Sequence, residues 1–184
     1  ISDVPTSGDL DITTLGPLIA DIMPEESIVS DESATSSLIV TPHALQAKPH
    51  DWLALTGGSI GQGLPLAIGA SIAKPDRPVI TLHGDGGAMY TVQALWTQAR
   101  ENLNITNIIF SNRSYEILKI ELDRVQAVET GERAASMFSM DNPPIDWVNL
   151  AESMGVQGFK PKTVKEFKDV FSKSVNESGP SLIE

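Results

Sequence analysis

The run Pro78-Val-Ile-Thr-Leu-His83 passes directly into Gly84-Asp85-Gly86-Gly87, and this junction decides the fold. A short, mostly aliphatic stretch without alternating polarity is what a strand covered on both faces looks like. Three glycines and a carboxylate then break it, and helical spacing takes over through Leu95, Trp96 and Ala99. The pattern repeats at Ile105–Ser111, a second buried strand that ends on Asn112. Alternating strands and helices imply an α/β class fold, an open, mostly parallel sheet with helices on both faces.

The flanking sequence agrees. Asp11 is placed to cap a helix with Ile12, Leu15, Leu18, Ile19 and Ile22 on one face, and Pro24 stops it. Ser27–Asp31 reads as a strand and Ser33–Gln46 as a helix interrupted by Pro42. Trp52–Thr56 leads into the glycine-rich run Gly57–Gly63, and Leu64–Lys74 has helical spacing. Asp146–Met154 and Val164–Val175 read as later helices, with Ser181–Glu184 as a closing strand. Residues 1–10 are polar, with Pro5 and Gly8, and read as a linker remnant, leaving 11–184 as one domain. Both ends, Ile1 and the strand-like Ser181-Leu-Ile-Glu184, read as cut from a longer protein.

Composition excludes several function classes. Apolar residues make up 41% of the 184 and charged residues 20%, which suits a globular domain with a full core. A formal charge of −11 disfavours nucleic acid and anionic membrane as partners. With no cysteine there is neither a disulfide framework nor a thiolate metal site, consistent with a cytoplasmic location. No signal peptide pattern or membrane-length apolar run is present.

In a parallel sheet, ligands bind outside the C-terminal strand ends. Asp85 and Asn112 both fall at such ends, 27 positions and one strand–helix–strand unit apart. One carboxylate and one amide oxygen suit Mg²⁺, a hard cation that takes its remaining ligands from water and phosphate. Gly86 and Gly87 permit close approach of the backbone to a phosphate, and the amides of Gly87 and Ala88 open the next helix. Taken alone, Gly-Asp-Gly is more often a turn, and an Asn at a strand end is commonly a cap. The Gly57–Gly63 run is not a dinucleotide fingerprint, since Pro65 and Leu66 follow Gly61 and Gly63, and no P-loop lysine follows any glycine run.

Gly84-Asp85-Gly86 followed by Asn112 resembles the thiamine diphosphate motif. Leu55-Thr-Gly-Gly-Ser-Ile-Gly61, Gly63-Leu-Pro-Leu-Ala-Ile-Gly69, Ala94-Leu-Trp96, Asn112-Arg-Ser-Tyr115 and Gly179-Pro-Ser-Leu-Ile-Glu184 extend the likeness. Together they resemble the C-terminal, diphosphate-binding domain of benzoylformate decarboxylase and of acetolactate-synthase-like large subunits. The resemblance implies thiamine diphosphate and Mg²⁺ as cofactors, with Asp85, Asn112 and the Ser114 carbonyl as metal ligands. It places Gly86, Gly87, Ala88, Thr35 and Tyr115 at the cofactor, although Ala34 stands where the decarboxylase has a second hydroxyl. Ile60 matches the wedge that bends the cofactor, the Gly58 carbonyl the acceptor for its 4′-amino group, and Ile117 and Leu118 the substrate pocket. Glu116 replaces a usual glycine there.

The family's activating glutamate lies on a pyrimidine-binding domain of a second subunit, absent from this chain together with the middle domain. Glu32 and Glu116 do not match it. The resemblance therefore implies part of a homodimer or homotetramer acting on a small 2-oxo acid, by decarboxylation or carboligation. The stretch Asn112–Lys119 is closer to the decarboxylase than to true acetolactate synthase. A natural small subunit of a split enzyme, or a non-catalytic flavodoxin-like binding module, are the alternatives. His83 reads as a strand residue, His43 and His50 as unplaced, Trp52, Trp96 and Trp147 as core or interface, and Glu129, Glu132 and Asp141 as a solvated face.

Overall fold

A computed structural model describes residues 4–125 and 131–184 of the chain; Glu129 lies outside them. Helix α1 (Ile12–Ile22) starts where expected, because Asp11 Oδ1 accepts the Thr13 and Thr14 amides at 2.8 and 3.0 Å while the Asp11 amide donates to Thr14 Oγ1. Strand β1 (Ile28–Glu32) follows. The helix expected over Ser33–Gln46 is broken. Ala34 has φ +51°, outside the helical region, so a 3₁₀ turn (Ala34–Ser36) precedes α2 (Ser37–Ala44). Pro42 sits inside α2 without ending it; the amide it lacks would have met Leu38, on an exposed part of the helix.

Strand β2 (Asp51–Ala54) then leads to α3 (Gly63–Ala73), β3 (Val79–Gly84) and the single turn α4 (Asp85–Ala88). Next come α5 (Ala94–Arg100), β4 (Ile105–Phe110), α6 (Glu116–Arg124) and α7 (Glu132–Ser136). The chain closes with α8 (Trp147–Ser153), β5 (Gln157–Phe159), α9 (Val164–Ser174) and β6 (Ser181–Ile183). Helix α9 carries a full capping box between Thr163 and Glu166. Among the described residues no helix is long and apolar enough to cross a membrane.

All six strands are parallel, in the order β2-β1-β3-β4-β6-β5, so the α/β reading holds. The inner strands β1, β3 and β4 run five or six residues and are almost wholly buried, whereas the edge strands are short, four residues in β2 and three in β5. Alternate side chains of each strand serve opposite faces. Val29, Ile80, Leu82, Ile108 and Ile183 pack with α1, α2 and α9. Ile109 and Leu182 pack on the other face with Leu95 of α5 and with Trp147 and Ala151 of α8. The stretch before α1 also touches the body, with the Leu10 amide donating to Lys162 O and the Val164 amide to Gly8 O.

Phe171 is fully buried on α9 and tilts against Phe167, ring centroids 5.4 Å apart. Truncating it to alanine is expected to cost about 3–5 kcal/mol, read as a shifted midpoint in chemical denaturation.

Chain order reverses across the sheet between β1 and β3: β1 connects outward to β2, and the chain then crosses back to β3. The C-terminal end of this crevice is where an open α/β sheet collects its ligands.

Candidate functional site

Strands β3 and β4 are hydrogen-bonded neighbours with Gly84 level with Phe110, so Asp85 and Asn112 leave the same end of adjacent strands. Asp85 is 3% exposed. Its Oδ1 accepts the Gly86 amide at 2.9 Å and its Oδ2 the Arg113 amide at 2.7 Å, with Arg113 in a left-handed conformation (φ +55°). Burial pushes the Asp85 carboxyl above the usual carboxylate range, and these amide bonds offset that only in part. Asn112 Oδ1 accepts the Ser114 amide at 2.9 Å, a turn that fixes its side chain.

A buried carboxylate held by two amides keeps lone pairs for a cation. Among the described residues no group of three His, Cys, Asp or Glu side chains could hold a metal. A cation here would therefore draw on the Asn112 amide, a main-chain carbonyl and ligand oxygens, and that donor set fits Mg²⁺ bound with a diphosphate.

These residues open on a cavity of about 300 Å³. Thr35, Gly58 and Ile60 line one side of it, and Gly86, Gly87 and Ser114 lie beside the Asp85–Asn112 pair. Tyr115, Ile117 and Leu118 close it from the start of α6. Ala88 is the exception among the expected site residues: its side chain is fully buried in the core under α5, so it could serve a ligand only through its amide. Ile60 is 52% exposed, which an ordinary core isoleucine would not be. The Gly58 carbonyl accepts the Ile60 amide at 3.0 Å.

Glu116 lines the cavity too, paired with Lys119 at 3.1 Å. His43 packs against Gly16, and His50 bonds Lys48 O and meets Trp52 edge-on, so neither reaches the cavity. Trp147 is core on one face of the sheet, Trp52 is partly buried against the core on the other face, and Trp96 is 53% exposed under the Arg100 guanidinium. Asp141 is exposed as expected, but it also pairs with Arg113 at 2.9 Å and so joins the loop at 138–141 to the Asn112 turn.

Gly86 shows how tight the site is. A Cβ there would lie 2.7 Å from the Tyr115 ring. Gly86→Ala is expected to displace Tyr115 and weaken cofactor binding about tenfold with little change in secondary structure, measurable by titration calorimetry beside circular dichroism.

Two further residues belong here. Glu32 and His83 are level with each other on β1 and β3, both fully buried, with His83 Nε2 3.1 Å from Glu32 Oε2 but outside good hydrogen-bond geometry. Burial pushes the Glu32 carboxyl up, but His83 and the Gly61 and Gly63 amides outweigh it, and the net shift is downward. His83 is a strand residue, as read. Glu32 gave no signal in the local sequence; only the register of two parallel strands, both ending at the crevice, brings it to His83.

Residues 34–184 match the family described as thiamine pyrophosphate enzyme, C-terminal TPP binding domain. This chain belongs to that family. As such a TPP-binding domain, it is 44% identical over 179 residues to "Putative acetolactate synthase large subunit IlvX" of Mycobacterium tuberculosis, covering 97% of this chain and 35% of that protein. It is 27% identical over 177 residues to benzoylformate decarboxylase of Pseudomonas aeruginosa, covering 96% and 32%. Among solved structures, the Rhodococcus jostii thiamine diphosphate-dependent 4-hydroxybenzoylformate decarboxylase superposes with a TM-score of 0.83 at 31% identity, over 100% of this chain and 34% of that one. The TPP-binding domain thus spans about a third of the length of the relatives it matches.

Proposed function

We propose that this TPP-binding domain holds Mg²⁺ and thiamine diphosphate for a 2-oxo-acid decarboxylase or carboligase. The observation that carries the reading is the buried, cation-ready Asp85 beside Asn112 at the mouth of a glycine-lined cavity. Asp85, Asn112 and the Ser114 carbonyl would hold the metal, and the Gly86, Gly87 and Ala88 backbone, with Thr35 and Tyr115, would face the diphosphate. Gly58 and Ile60 would seat and bend the rest of the cofactor. Ile117 and Leu118, half-exposed on α6, would wall the substrate side and keep water from it. Bound there, thiamine diphosphate supplies a nucleophilic carbon and accepts the electron pair left when CO₂ departs.

The glutamate that activates the cofactor would come from the pyrimidine-binding domain of a second subunit in a homodimer or homotetramer. The exposed Ile60, Tyr90 and Trp96 support such an apposition. On its own, the chain is expected to show no 2-oxo-acid turnover.

Product analysis by NMR tests the reading, using the full-length protein with Mg²⁺, thiamine diphosphate and either pyruvate or benzoylformate. Acetolactate from pyruvate identifies a carboligase; benzaldehyde, or acetaldehyde without acetolactate, identifies a decarboxylase. Tight flavin or nucleotide binding without Mg²⁺, and no turnover of either acid, would sink it.

A further inference from the structure

We infer that Glu32 is a positioning residue that locks the Gly58–Gly63 loop and thereby sets the depth at which the thiamine half of the cofactor sits. The inference rests on the cavity being a thiamine diphosphate site. Glu32 Oε1 accepts the Gly61 amide, and Oε2 accepts the Gly63 amide at 2.6 Å. The same two glycines are held through their carbonyls as well: Thr91 Oγ1 donates to Gly61 O at 2.7 Å and Ser30 Oγ to Gly63 O at 2.9 Å. The loop's backbone from Gly61 to Gly63, where α3 begins, is thus tied by side chains through both its amides and its carbonyls. Gly58 and Ile60 lie directly before the tied segment, and their own region is exposed.

The geometry leaves the glutamate no alternative place. A Cβ at Gly63 would lie 2.9 Å from the His83 ring and 3.0 Å from Glu32 Cβ, and one at Gly87 would lie 3.0 Å from Glu32 Oε1 and 3.1 Å from His83. Glu32 and His83 fill the space that those two glycines vacate, at the point where chain order reverses between β1 and β3. Burying a carboxylate is costly unless donors meet it. Here two amides from one loop do so beside His83, so part of the cost of ionisation is offset only while that loop holds its position. The Asp85–Asn112 side of the cavity does not depend on these bonds.

The two halves of the site can therefore be separated by ligand. Glutamine at position 32 keeps the volume but offers one acceptor for two amides. In the full-length protein with Mg²⁺, Glu32→Gln is expected to weaken thiamine diphosphate binding by about tenfold or more in calorimetry. Inorganic pyrophosphate, which reaches only the Asp85–Asn112 side, is expected to bind the variant and wild type within about twofold. A general loss of structure would weaken both ligands alike, and that result, or an unchanged thiamine diphosphate affinity, overturns the inference. A wild type that binds neither ligand overturns the cofactor reading and this inference with it. Should the variant fail to fold, amide exchange in the wild type decides: Gly61 and Gly63 are expected to be protected, and exchange as fast as at Gly57 would overturn the proposal.

Discussion

Replacing Asp85 with alanine is expected to weaken Mg²⁺-dependent thiamine diphosphate binding by about a hundredfold or more, because it removes the one charged ligand of the proposed Asp85, Asn112 and Ser114 donor set. Titration calorimetry of the full-length protein with and without Mg²⁺ reads this directly, and an affinity unchanged by the substitution would remove the metal bridge from the account. The buried position of Asp85 adds a pH signature. Burial raises its pKa above that of the unfolded chain. In the cofactor-free fold its contribution to stability is therefore complete below the ordinary carboxylate pKa and is lost as pH rises through the raised value. Cation binding runs the other way, since it needs the ionised group. Affinity should fall on acidification at a higher pH than an ordinary aspartate would dictate, and Asp85→Ala should flatten that dependence along with the affinity itself.

The second large effect concerns Ile60. Its side chain is half exposed, so truncation to alanine is expected to change folding stability by no more than about 0.5 kcal/mol. If it bends the cofactor, the same truncation lowers turnover about a hundredfold, since small misplacements of reacting groups have effects of that size. Denaturation midpoint and kcat, measured on one preparation, separate the two. A parallel fall in both would return Ile60 to an ordinary packing role.

The sequence shows the central sheet well and its margins poorly. Strands β3 and β4 are covered on both faces, and their mostly apolar runs announce this without reference to anything else. Asp85 and Asn112 are visible because each stands where such a run stops. Strands β2 and β5 are too short for any period to register, and Gln157-Gly-Phe159 is a strand because β6 lies beside it, not because of its residues. The break before α2 depends on a left-handed Ala34, which no propensity would suggest.

In the site, the residues that meet a ligand sit on local motifs and are legible as motifs. Those that hold the motifs in place are not. Glu32 is 29 residues from Gly61 and 51 from His83, and a glutamate following Ile28-Val-Ser-Asp31 looks like the polar end of a strand. Its meaning exists only once β1 and β3 are side by side in the observed register. Asp141 is similar: exposed, as its surroundings suggest, yet paired with Arg113 from a loop 28 residues away.

The abbreviated outer strands bear on how the chain behaves when separated from its neighbours. An unpaired sheet margin is a template on which further chains can polymerise, and stubs of four and three residues give such growth little purchase. Amyloid-like stacking is therefore not the hazard this domain faces during synthesis or after proteolysis. Its exposed greasy side chains, Ile60, Ile72, Tyr90 and Trp96, are a different matter. Any clumping of the isolated domain should be amorphous, dispersed by mild detergent, and silent to dyes that report cross-β order.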